Sequence, residues 1–149
     1  GKIWTHQLQL TIADFVVEIH DTHHPIAGGL YYEDQKAAAR RRSKDFLANR
    51  MPKYLGYFER VLERNRARGP WMVGARATYV DLSMAQVLAG LAYAFPRATR
   101  AAMPQHPRLA ALHDMVFARP RIRRYVASRR RLAFNNEGIF RHYRELDPA

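Results

Sequence analysis

The sequence predicts an all-α fold, a bundle of about five to six helices forming one domain over 1–149. Three observations point there. Apolar residues recur at spacings of three and four over long stretches, no apolar–polar alternation of useful length is present, and proline and glycine fall where periodic segments stop. At 149 residues and 48% hydrophobic content, the chain has enough apolar material for a single core. No internal repeat or low-complexity linker divides it.

The first helix is expected from about Ile3 to His23, because Trp4, Leu8, Ile12, Phe15 and Ile19 share one stripe. No capping residue precedes it, so the chain is expected to be a piece of a longer polypeptide. Pro25 and Gly28-Gly29 end the pattern. A second segment from about Glu33 to Arg66 carries Phe46, Leu47, Tyr54, Leu55, Phe58, Val61 and Leu62. Pro52 inside it lacks a backbone donor and clashes with the preceding turn, which predicts a bent helix or two helices with the break near Arg50. Gly69-Pro70 closes the segment. A third helix, from about Tyr79 to Tyr93, is almost continuously apolar through Leu82, Ala85, Leu88, Leu91 and Ala92, and is predicted to be central and buried on all sides. Pro107 and Pro120 suit first helical positions and start the fourth and fifth helices. Leu109, Leu112, Met115 and Val116 face the fourth inward; Ile122, Tyr125 and Val126 do so for the fifth. The tail 132–149 is aromatic-rich and has no sustained period.

Gly74, Thr78 and Asp81 stand at the start of the central helix, with Thr78 and Asp81 three apart. This spacing is a capping box: the Thr78 hydroxyl accepts from the Asp81 amide, and the Asp81 carboxylate reaches back to the Thr78 amide. Ala77 and Leu82 hold the flanking staple positions, although alanine offers little contact area. The role of the box is structural.

Composition narrows function mainly by exclusion. With no cysteine there is no disulfide framework, thiolate nucleophile or thiolate metal site. No apolar stretch approaches the roughly 20 residues that cross a bilayer, and neither a secretion leader nor a membrane partner is expected; the expected compartment is the cytoplasm. The net charge of +12 raises a polyanion reading, and Arg40-Arg41-Arg42 and Arg129-Arg130-Arg131 are the densest runs. These arginines are mixed with acidic residues and accompanied by no nucleic-acid motif, so solvated helix faces are expected and a nucleic-acid partner is not. His20 and His24 lie one helical turn apart, a spacing that suits zinc. No third ligand stands out, Pro25 follows at once, and histidine is independently favoured at a helix C-terminus, so no metal is expected.

Several segments in order resemble the C-terminal domain of glutathione transferases, with bacterial proteins of the alpha, mu, pi and sigma type as the nearest likeness. They are Met51-Pro52-Lys53-Tyr54-Leu55, Trp71-Met72-Val73-Gly74, the Thr78–Asp81 box, Pro107-Arg108-Leu109 and Ala118-Arg119-Pro120-Arg121-Ile122. The resemblance implies a parent enzyme that conjugates glutathione, its co-substrate, to electrophiles in detoxification. The glutathione-binding, thioredoxin-like N-terminal domain is expected to be missing from this chain, which then holds no catalytic residue and is inactive alone. By position, the resemblance places Leu10, Asp14, Val17, Phe134, Phe140 and Tyr143 in the electrophile pocket and implies a homodimer. Asp14 has a second implied role, approaching the glutathione amino group across the dimer interface. A non-catalytic interaction module is the alternative, and a polyanion-binding helical protein is the third reading.

Overall fold

Every regular element among residues 1–148, which the computed structural model describes, is helical, as the periodicity predicts. In chain order these are α1 (Lys2–Asp21), a 3-10 turn at Tyr32–Gln35, α2 (Lys36–Asp45), α3 (Met51–Asn65), α4 (Tyr79–Ala94), α5 (Pro96–Ala102), α6 (Pro107–Ala118) and α7 (Pro120–Val126). Further 3-10 turns lie at Met103–Gln105 and Arg144–Leu146.

Leu8, Ile12, Phe15 and Ile19 of α1 are buried, whereas Trp4 is partly exposed and Thr5 turns inward instead, its hydroxyl donating to the Gly1 carbonyl at 3.0 Å. The helix ends at Asp21, short of the expected His23. There the Thr22 hydroxyl donates to the Ile19 carbonyl at 2.7 Å, and the Thr22 and His23 amides bond to Ile19 and His20 in a tightened last turn.

The break expected near Arg50 is a change of winding. Phe46–Arg50 form a π-helical turn in which the Met51 amide donates to the Phe46 carbonyl, so α2 runs into α3 without interruption. One extra residue in the turn opens the ladder ahead of Pro52, where an α-helical turn would meet the proline ring. The same bulge aims Phe46 into the core, with ring centroids 6.1 Å from Phe15 and 5.6 Å from Phe95. Glu18 of α1 holds the junction from outside: it accepts from Arg50 Nη2 at 2.6 Å, Arg50 Nε at 2.8 Å and the Tyr54 hydroxyl at 3.0 Å. These donors, Arg50 first, hold the Glu18 carboxyl below its ordinary range despite its partial burial.

α4 packs against α1 and α6 through Val80, Met84, Ala85, Val87, Leu88 and Leu91. It is central but not buried on all sides: Tyr79, Leu82, Gln86 and Ala92 reach solvent. With Leu82 outside, the Ala77–Leu82 staple closes over no core. The inner face of the last helix is also thinner than expected. Ile122 packs on the core, but Tyr125 and Val126 are exposed, because α7 is a short helix at the rim resting on α6.

α5 has no counterpart in the sequence reading, which runs from the central helix straight to Pro107. Pro96 starts it in the same manner as Pro107 and Pro120 start theirs. Its cap comes from the far end of the chain: Asp147 accepts from the Arg97 amide at 2.8 Å and the Ala98 amide at 3.1 Å. Glu59 does the same for α6, taking the Arg108 and Leu109 amides at 3.0 Å each. The aperiodic tail is therefore anchored, and Ser43 adds a bond to the Leu146 carbonyl at 2.5 Å. Asp147→Ala is expected to cost about 1–2 kcal/mol. Hydrogen exchange should accelerate at Arg97, Ala98 and the tail while α1 stays protected.

Candidate functional site

The best-defined constellation surrounds the N-terminus of α4. Asp81 is 0% exposed. Its Oδ2 accepts from the Thr78 amide at 2.7 Å and the Thr78 hydroxyl at 3.0 Å, and its Oδ1 accepts from the Met72 amide at 2.8 Å. The contact from the Thr78 side chain to the Asp81 amide completes the box. One carboxylate thus closes the helix and pins the loop that enters it, a second task that spacing alone does not reveal. Gly74 has φ +69°, a left-handed conformation that favours glycine. Asn65, at the end of α3, brackets this turn: its side-chain amide donates to the Trp71 and Gly74 carbonyls at 2.8 Å each, and its carbonyl accepts from the Gly74 amide at 3.2 Å. Asn65 escaped the sequence reading because an asparagine at a helix end has many uses.

The residues placed in the electrophile pocket fall in three groups. Leu10, Asp14 and Val17 lie on the face of α1 opposite the core; Leu10 is 54% and Val17 58% exposed, in line with Ile3 at 87%. Phe134 and Phe140 come together edge to face at 5.8 Å, and Phe134 also stacks on Tyr93 at 5.2 Å. Phe140 rests directly on Gly90 of α4, where any β-carbon would overlap its ring. Tyr143 stacks on Tyr32 at 3.7 Å, and the Tyr32 hydroxyl donates to Glu145 at 3.0 Å. Burial, reinforced by Glu145, pushes the Tyr32 phenol up, so it stays protonated and packs. A separate shallow groove of about 690 Å³ lies between α4, α5 and α6, lined in part by Ala92, Pro96, Thr99, Met103 and Pro107.

Beyond Asp21 the chain turns and gathers three imidazoles. His23 is 1% exposed, and its Nδ1 lies 2.5 Å from His24 Nδ1, while its Nε2 donates to the Ile139 carbonyl at 2.8 Å. The ring centroids of His20 lie 4.9 Å from His23 and 5.5 Å from His24. One of the grounds for expecting no metal, the want of a third ligand beside His20 and His24, is met by His23, which the end of the helix at Asp21 brings to them.

Comparison with known proteins decides the family. Residues 20–129 match the glutathione S-transferase C-terminal domain family. The chain belongs to that family. It is also 29% identical over 85 residues to a glutathione S-transferase of Plasmodium yoelii yoelii, a match covering 57% of this chain and 38% of the relative. The chain therefore spans well under half the length of that relative.

In this transferase-family domain the matched span contains the whole Gly74–Thr78–Asp81 cap, whereas Leu10, Asp14, Val17, Phe134, Phe140 and Tyr143 all lie outside it. No helix among the described residues is long and apolar enough to cross a membrane.

The domain's stability should depend on pH through His23. Burial pushes this imidazole down from 6.5 to about 4, and burial lowers His24 as well. The folded state holds His23 neutral, while the unfolded chain takes up a proton below 6.5. Stability is complete above that value and falls as pH drops toward 4, by roughly 3 kcal/mol at most. Urea midpoints measured with chelator between about pH 7 and about pH 4 should show the slope. His23→Gln should reduce it and leave the part that His24 contributes.

Proposed function

We propose that the parent polypeptide is a cytoplasmic glutathione transferase that joins glutathione to small electrophiles, with this domain forming one wall of the electrophile pocket and part of a homodimer interface. The glutathione thiolate attacks an electrophilic carbon, the sulfur–carbon bond forms and the leaving group departs with its electron pair. A thiol of pKa about 8.5 is mostly protonated near neutrality, so the enzyme needs a donor that stabilises the thiolate. That donor belongs to a thioredoxin-like domain elsewhere in the parent, and this chain supplies no catalytic residue.

The observation that carries the reading is the outward face of α1, where Ile3, Leu10 and Val17 present an apolar strip with Asp14 beside it. A strip of this kind is characteristic of a surface that meets a ligand or another protein. Leu10 and Val17 would contact the electrophile, and Phe134, Phe140 and Tyr143 would shape the pocket's far side. The test uses a longer polypeptide that carries the thioredoxin-like domain. Calorimetry should show it binding glutathione. Leu10→Asp with Val17→Asp should raise KM for the electrophile while leaving glutathione affinity unchanged. A folded longer polypeptide that binds no glutathione would replace this reading with the non-catalytic interaction module.

A further inference from the structure

We propose that His20, His23 and His24 form a three-imidazole site for a divalent transition-metal ion of the zinc class, which clips the end of α1 to the C-terminal tail. One ring nitrogen from each histidine lies within 4.8 Å of the other two. Two of the three rings also make a polar contact of the kind that orients metal-binding imidazoles. His20 Nδ1 is 3.2 Å from the Asp21 carboxylate, and His23 Nε2 donates to the Ile139 carbonyl at 2.8 Å. A carboxylate or carbonyl on the far nitrogen fixes the tautomer and points the other lone pair toward the metal.

The contact between His23 and His24 places two candidate ligand atoms side by side. With the Nε2 proton of His23 committed to Ile139, its Nδ1 is a bare lone pair, and it faces His24 Nδ1 at 2.5 Å. Without metal, a proton on His24 Nδ1 donates to that lone pair; with metal, both nitrogens turn to the ion. Tetrahedral zinc with bonds of about 2.0–2.1 Å separates its nitrogen ligands by about 3.3 Å, so His23 and His24 need open by less than about 1 Å, and separations in the trio, which reach up to 4.8 Å, need close by up to about 1.5 Å. Asp21 beside His20 and Glu33 near His24 favour a cation, and Arg141 opposes one. Neutral imidazoles select zinc, copper, nickel or cobalt over calcium and magnesium, which prefer oxygen. Three ligands leave a fourth position for water. Because Ile139 adjoins Phe140, the ion would also steady the aromatic tail on α4.

Cobalt(II) titration of the chain provides the test, since tetrahedral cobalt absorbs strongly in the visible. The expected result is one equivalent bound, intense bands, displacement by zinc and none by magnesium. His20, partly exposed, can be replaced without opening the core, so His20→Ala should keep its helical circular dichroism and lose at least about tenfold in affinity. His24→Ala should do the same, and His113→Ala should change nothing. In the unaltered chain, zinc should shift the ring nitrogens of His20, His23 and His24, leave those of His6, His106, His113 and His142 in place, and slow hydrogen exchange around Ile139. Absence of tetrahedral bands, affinity unchanged in His20→Ala and His24→Ala, or ring shifts centred on other histidines would overturn the site. Unaltered exchange at Ile139 would overturn the clip.

Discussion

Asp81→Ala is expected to lower the unfolding free energy by about 4 kcal/mol, a large part of the roughly 5–15 kcal/mol that holds a domain together. The carboxylate is fully buried and satisfies the Thr78 amide, the Thr78 hydroxyl and the Met72 amide together. Alanine leaves the buried Met72 amide without a partner and strips the part-buried Thr78 amide of its acceptor, at about 1–3 kcal/mol each, and removes the helix cap as well. Asp81→Asn keeps one acceptor oxygen and should cost about half as much. Urea denaturation reads both, and the midpoint should move without a change in slope. A loss below about 1 kcal/mol for the alanine variant would mean the cap is dispensable.

Phe46→Ala should cost about 3–5 kcal/mol. Phe46 is wholly buried in the π-helical turn, between Phe15 of α1 and Phe95 at the end of α4. Its removal opens a cavity where three helical runs meet. Phe46→Leu should cost about 1–2 kcal/mol, since most of the volume remains. Thermal denaturation of both variants against the parent chain checks the order. Equal losses would show that the π turn relaxes around either substitution.

What the sequence discloses about this fold follows from the range of the interactions involved. The stripes of α1 and α4, the proline starts of α6 and α7, and the Thr78–Asp81 box rest on residues within a few positions of one another, and all are legible. α5 is not, because seven residues carry too little apolar rhythm and the group that caps them, Asp147, lies about fifty residues further along. Pro52 signals a disturbance without saying which kind, since a break and a wide turn both relieve the same clash. The tail lacks a period because scattered side-chain bonds through Asp147, Ser43 and Tyr32 hold it instead of a helical stripe.

The candidate sites divide in the same way. Asp81's role in the box can be read from spacing, but its bond to Met72 and the bracket made by Asn65 need the loop's path. The His20–His24 pair is visible as a helical turn, and His23 joins only because Thr22 ends the helix. Leu10, Asp14 and Val17 share a face by periodicity, while Phe134, Phe140 and Tyr143 take positions that no local pattern encodes.

On the proposed division of labour, this domain contributes architecture and the thioredoxin-like domain contributes the chemistry. The most direct measurement is the rate at which this chain alone, folded, catalyses attack of glutathione on a chlorinated dinitrobenzene. The predicted rate is no higher than that of the uncatalysed reaction, with activity present in the longer polypeptide. Turnover by the isolated chain comparable to that of an intact transferase would contradict the account.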